Sequence, residues 1–171
     1  MRHSLQVGFS FGLTSGVITT LGLIAGLATG TQSRLAVIGG VATIAVADAL
    51  SDALGIHIAE ESENIHTPVQ IWVATLSTAL SKALTAATFL LPLLLLPLDT
   101  AVWVSFVWGM LLIAVMSYGL ARMQGLKPLH VIVEHVLVAA FVIAVAHGVG
   151  TLVGMRTWGG GVWMGCGHWL Q

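Results

Sequence analysis

The sequence predicts an all-α membrane protein, a bundle of five transmembrane helices. Three observations carry that reading. Of the 171 residues, 57 % are hydrophobic and 8 % are Asp, Glu, Lys or Arg, and the mean hydropathy is +0.97. A water-soluble domain has about 25 % charged residues. Five apolar stretches each exceed the ~20 residues a helix needs to cross a bilayer. Turn-forming residues separate them at 30–33, 67–68, 97–100 and 125–128. No linker is long enough to divide the chain, so residues 1–171 read as a single integral membrane domain.

The first span covers about residues 4–29. Its apolar run is too long for the core of a secretory signal, so it reads as a retained helix. Gly8, Gly12, Gly16, Gly22, Gly26 and Gly30 fall within about 120° of one another at 100° per residue, with Ser15 and Thr19 on the same face. Small residues at this spacing let helix backbones approach closely. Two readings follow: packing within the chain, or a two-fold homodimer interface through Gly8, Gly12, Gly16, Gly22 and Gly26. In either case helix one is central.

The second span, about 34–63, carries acid where lipid should forbid it: Asp48 and Asp52, then His57, Glu60, Glu61 and Glu63. A charge inside a bilayer costs at least a few kcal/mol, so such residues face a protein interior or an aqueous path. Asp48 and Asp52 lie about 40° apart on the helix, and Glu63 within about 60° of Asp48. A helix this long spans about 45 Å, so its acidic end projects beyond the hydrocarbon. A graded column of oxygen ligands suits a divalent cation or protons. A cation arriving at buried carboxylates displaces protons, the physical basis of antiport. His57 and Glu61, four residues apart, could chelate together or merely hydrogen-bond.

The third span, about 68–97, has Lys82 near its middle, a candidate partner for Asp48, Asp52 or Glu134. The fourth covers about 99–122. The fifth, about 128–154, opens with His130, Glu134 and His135 and holds His147 deeper. The tail from Met155 contains Trp158, Trp163 and Trp169, which suit a membrane interface, and a lone Cys166-x-His168 pair that is weak as a metal motif. Cys166 is the only cysteine, so the chain has no internal disulfide. With the N-terminus cytoplasmic, Arg2, Arg122 and Lys127 lie inside against Arg34 and Arg156 outside. The net charge of −1 and the lack of a basic block argue against nucleic acid as a partner.

Two segments resemble a known family. Gly12 to Leu27, GLTSGVITTLGLIAGL, is similar to the first helix of the vacuolar iron transporter family, G-x-S/N-D-G-L-x-x-x-x-A-L-x-A-G-L. Ala49 to Glu63, ALSDALGIHIAEESE, resembles its second helix, A-I/L-S-M-x-x-G-x-Y, with a Glu-containing extension. The two motifs cover about a third of the chain in the family's order. The family's first-helix Asp falls on Ser15, its second-helix Met on Asp52, and its Glu eight residues earlier on Ile44. The larger members insert a cytoplasmic metal-binding domain between spans two and three; this chain resembles the short members without it. The resemblance implies a dimer that exports or sequesters Fe²⁺ or Mn²⁺ in exchange for protons.

The resulting expectation is a proton-coupled divalent transition-metal transporter, not an enzyme. Its pathway would comprise Ser15, Thr19, Asp48, Asp52, Lys82 and Glu134, and its metal ligands Asp48, Asp52, His57, Glu60, Glu61 and Glu63. No cofactor is expected besides the transported ion; the partners are membrane lipid, metal ions and a second copy, in the cell membrane of a prokaryote. The main alternative is a non-transporting membrane scaffold, for which the glycine face alone would suffice. A lipid-headgroup phosphotransferase reading fails, because no D-G-x-x-A-R segment precedes Asp48.

Overall fold

A computed structural model describes residues 1–159, with side chains to Met155. The described chain is helical: α1 (Arg2–Thr31), α2 (Arg34–Ser62), α3 (Pro68–Thr88), α4 (Leu90–Leu95), α5 (Leu98–Gln124) and α6 (Pro128–Gly159). Five stretches are long and apolar enough to cross a membrane, α3 and α4 together making one of them. The large apolar side chains left outside, such as Leu50, Leu54, Trp103 and Phe141, are those a lipid solvent would cover. Trp158, Trp163, Trp169, Arg156, Cys166 and His168 lie outside the described side chains.

Each break has a local cause. Gln32, at φ 53, ends α1 in a left-handed cap, and the Ser33 hydroxyl accepts from the Ala36 N–H to start α2. Thr67 and Gln70 close a reciprocal capping box over α3, with Pro68 in the first turn. Gly125, at φ 69, stops α5, a conformation glycine adopts without a Cβ clash.

The third span is not the unbroken helix that its hydropathy suggests. Pro92 has no N–H for the Thr88 carbonyl, and its ring would strike that carbonyl in a regular helix. The chain turns at Phe89, whose N–H bonds back to Ala86. Phe89 and Leu93 are then fully buried, packing with Val37, Val41 and Ala101. The Arg34 guanidinium donates to the Leu93 and Leu94 carbonyls and so satisfies the end of α4.

The glycine face of α1 divides between two neighbours in the same chain. A Cβ placed on Gly8 would stand 2.2 Å from the Ala74 carbonyl oxygen, and one on Gly12 2.5 Å from that of Thr78. Gly16 meets the Lys82 backbone, so Gly8, Gly12 and Gly16 all bed α1 on α3. Higher up, Gly22 and Gly26 face Val142 and Ala146 of α6, and Gly30 faces Gly150. The Ser77 hydroxyl donates to the Leu5 carbonyl at 3.0 Å, stitching α3 to α1. Between apolar helices in lipid, this close dispersion contact and these cross-helix bonds replace a hydrophobic driving force. Packing within the chain is the reading of the glycine face that the structure bears out. A dimer through Gly8, Gly12, Gly16, Gly22 and Gly26 would need a surface that α3 and α6 already fill.

Candidate functional site: a lysine between two carboxylates

The most polar point of the membrane-spanning region is built by three helices at mid-span. Asp48 and Asp52 come from α2, one turn apart; Lys82 comes from α3, and Ser15 from α1. The Lys82 ammonium lies 2.7 Å from Asp48 Oδ2 and also pairs with Asp52 Oδ2. It donates to Ser15 Oγ at 2.9 Å, and that hydroxyl donates to Asp52 Oδ2 at 2.7 Å. An ammonium has three donors, and all three are used.

The local fold explains why these groups meet. Gly12 and Gly16 allow α1 to lie directly on α3, which places Ser15, one residue before Gly16, beside Lys82. Ala45, Ala49 and Ala53 form the buried ridge of α2, and small side chains there keep the helix close to its neighbours. Asp48 and Asp52, each one residue before a member of that ridge, sit at its edge. Burial is correspondingly uneven. The Lys82 side chain is 1 % exposed, whereas Asp48 and Asp52 keep 30 % and 22 % of theirs open.

Other expected pathway residues lie elsewhere. Thr19 donates to the Ser15 carbonyl one turn below and touches neither acid. Glu134 is exposed on α6 and does not pair with Lys82, whose donors are taken by Asp48, Asp52 and Ser15. His135 bonds Ser117 at 2.8 Å, and His147 bonds Thr29 at 2.8 Å.

The acidic end of α2 does not act as one solvated cluster. His57 turns to α3, its Nδ1 3.0 Å from the Thr75 hydroxyl and its ring edge-on to Trp72. That hydroxyl gives its proton to the Ile71 carbonyl, so His57 Nδ1 must be the donor. The expected His57–Glu61 pair is therefore not formed, and Glu61 is exposed. Glu60 is buried, and its Oε2 has no hydrogen-bond partner; His66 Nε2 stands 3.6 Å away and 3.2 Å from Glu63. His3 of α1 stacks on His66 with ring centroids 6.5 Å apart. The buried position of Glu60 had a signal in the sequence: it falls within about 20° of Ala49 on the helix.

Among the described residues no three His, Cys, Asp or Glu side chains gather as a metal-binding group. The mid-membrane site instead offers two carboxylates and a hydroxyl, already organised around a cation that belongs to the protein. Compared with known proteins, the chain matches no family model, no curated protein and no solved structure.

Proposed function

We propose that this protein exchanges a divalent transition-metal ion, of the Fe²⁺ or Mn²⁺ class, for protons across a membrane. The observation that carries the proposal is the Lys82 ammonium held by Asp48 and Asp52 at mid-span, with the cation sealed and the carboxylates partly open. A purely structural ion pair in lipid gains most when both partners are enclosed, because an exposed charge at that depth is costly. Carboxylates left open at mid-span suit visiting ions.

The exchange follows from charge balance. Two carboxylates and an ammonium sum to −1. A divalent ion seated on the same oxygens would confront the ammonium. At about 4 Å and an effective dielectric of about 20, that repulsion is roughly 8 kcal/mol. Loss of the Lys82 proton removes it and leaves a neutral site. Return of the proton restores the ammonium, which competes for Asp48 and Asp52 and expels the ion. Ser15 can follow either state, because its hydroxyl accepts or donates as required. The resemblance to the vacuolar iron transporters points to the same class of cargo, and oxygen ligands fit Mn²⁺ and Fe²⁺. In this reading the chain works in a prokaryotic cell membrane with its N-terminus in the cytoplasm. Any homodimer would form through surfaces other than the glycine face.

Proteoliposomes carrying a metal-sensitive and a pH-sensitive dye test this. Wild type should take up Mn²⁺ or Fe²⁺ while protons move the opposite way, and uptake should fall as the pH on the uptake side drops, since the ion competes with a proton for the site. Asp48→Asn keeps the shape but removes the charge, and should abolish flux in a protein that still folds. Normal flux in both Asp48→Asn and Asp52→Asn would leave the triad a structural staple and favour the scaffold reading.

A further inference from the structure

At the end of the bundle opposite Glu60, α1, α5 and α6 leave a cleft of about 330 Å³ lined by Thr29, Gln32, Asp99, Trp103, Phe106 and His147. A second cleft of about 330 Å³ continues it towards mid-membrane, sharing Ala25, Phe106 and His147 and ending on Met110, Ala140 and Ile143. Together they form one groove with a polar mouth and an apolar floor, within the size range of small-molecule sites.

The mouth has a definite charge pattern. Asp99 is the only acid at this end of the described chain, and among the described residues no cationic side chain pairs with it. Arg34, the one basic side chain described at this end, is engaged with the Leu93 and Leu94 carbonyls. Trp103, one turn on from Asp99, is 70 % exposed, and Phe106 meets its ring edge-on with centroids 6.0 Å apart. An exposed carboxylate beside an exposed indole attracts an organic ammonium through ion pairing and cation–π contact. Across the cleft, Thr29 holds His147 through Nδ1; in the tautomer whose Nδ1 accepts from the Thr29 hydroxyl, Nε2–H and the exposed Gln32 amide can both donate to an anionic oxygen.

We infer that this groove binds a zwitterionic phospholipid, with its ammonium against Asp99 and Trp103, its phosphate towards Gln32 and His147, and an acyl chain over Phe106 and Met110. Charge complementarity selects the head group, and the apolar continuation selects a lipid over a free amine. The site does not depend on the transport reading, since none of its residues belongs to the Lys82 triad.

The test uses the full chain reconstituted in vesicles of equimolar phosphatidylethanolamine and phosphatidylglycerol, then native mass spectrometry of the extracted protein. Phosphatidylethanolamine should be retained in preference. Asp99→Asn should reduce that retention about fivefold, a loss of about 1 kcal/mol, and Asp99→Glu should preserve it. Replacing phosphatidylethanolamine by phosphatidylcholine should keep retention, because Trp103 also recognises a quaternary ammonium. Equal retention of phosphatidylglycerol, or no effect of Asp99→Asn, overturns the assignment. A photoreactive phenylalanine at position 106 should capture lipid; capture of residues 160–171 or of a second chain overturns it as well. Unchanged thermal unfolding of Asp99→Asn confirms that any loss is one of binding.

Discussion

Lys82 Nζ and Asp48 Oδ2 stand 2.7 Å apart midway along their helices, yet the lysine is 1 % exposed and the aspartate 30 %. Asp52 repeats the relationship on the next turn, and Ser15 bridges it. The cation is thus a fixed part of the bundle, while the anions form its accessible edge. Under the proposed exchange, this division gives one lysine a part in both folding and transport.

Lys82→Met separates those two roles. Removing one partner of a buried ion pair costs about 3–5 kcal/mol, because the remaining charges lose their compensation. Thermal unfolding in detergent should therefore drop sharply for the single variant. The triple variant Lys82→Met, Asp48→Asn, Asp52→Asn has no net charge left to compensate and should regain most of that stability without any flux. A single variant that unfolds like wild type would show that the ion pairs contribute nothing to folding.

Packing on the glycine face should be just as sensitive. A methyl group on Gly12 would lie 2.1 Å from Ser81 Oγ and 2.5 Å from the Thr78 carbonyl oxygen. Gly12→Ala must push α1 off α3, at about 1–3 kcal/mol for overpacking. It should also weaken flux, since Ser15 and Lys82 meet across the same contact. Gly55→Ala is the control: a Cβ there has nothing within 4 Å, and alanine favours helix by up to about 1 kcal/mol. Equal unfolding temperatures for the two variants would contradict the packing.

Much of this fold was legible because the bilayer leaves so few alternatives. Span count follows from hydropathy alone, and Gly30, Pro68, Pro97 and Gly125 mark the breaks within a few residues. The interruption at Phe89 was missed because hydropathy ignores backbone donors, although Pro92 sits four residues after Thr88. Asp48 and Asp52 stood out as anomalous charge. Lys82 was legible as a partner, but not which acids it takes, because helical spacing fixes faces within a helix but not the rotation of one helix against another. Glu134 and Lys82 are equally free to pair in the sequence; the packing of α3 against both α1 and α2 gives Lys82 to Ser15, Asp48 and Asp52.

Glu60, Glu61 and Glu63 should separate in function as they do in burial. Glu61 and Glu63 are exposed, where carboxylates concentrate cations by long-range attraction. Neutralising both to Gln should raise the apparent KM several-fold at low salt and leave the maximal rate nearly intact. Glu60, with a side chain only 8 % exposed and Oε2 unbonded, is held in the protein interior and costs stability instead of capturing ions. Glu60→Gln replaces a poorly compensated buried charge with an amide, which should stabilise by about 1–3 kcal/mol and leave KM unchanged. A KM effect confined to Glu60→Gln would place ion capture in the buried pocket beside His66 rather than on the exposed surface.

The last prediction tests which helix the upper glycines of α1 face. A Cβ on Gly22 would lie 3.8 Å from that of Ala146, within the 3.5–4.5 Å span of a disulfide. Gly22→Cys with Ala146→Cys, in a chain whose native Cys166 is changed to Ser, should oxidise within one molecule. The product should run as a faster monomer on non-reducing gels and revert on reduction. Gly22→Cys alone should give no dimer band, because α6 covers the position. The bond should also raise the unfolding temperature, as it ties α1 to α6 across more than a hundred residues of chain. A disulfide-linked dimer from Gly22→Cys alone, with no intramolecular product from the pair, would mean that a second chain lies where α6 is placed. The glycine face would then be an interface after all.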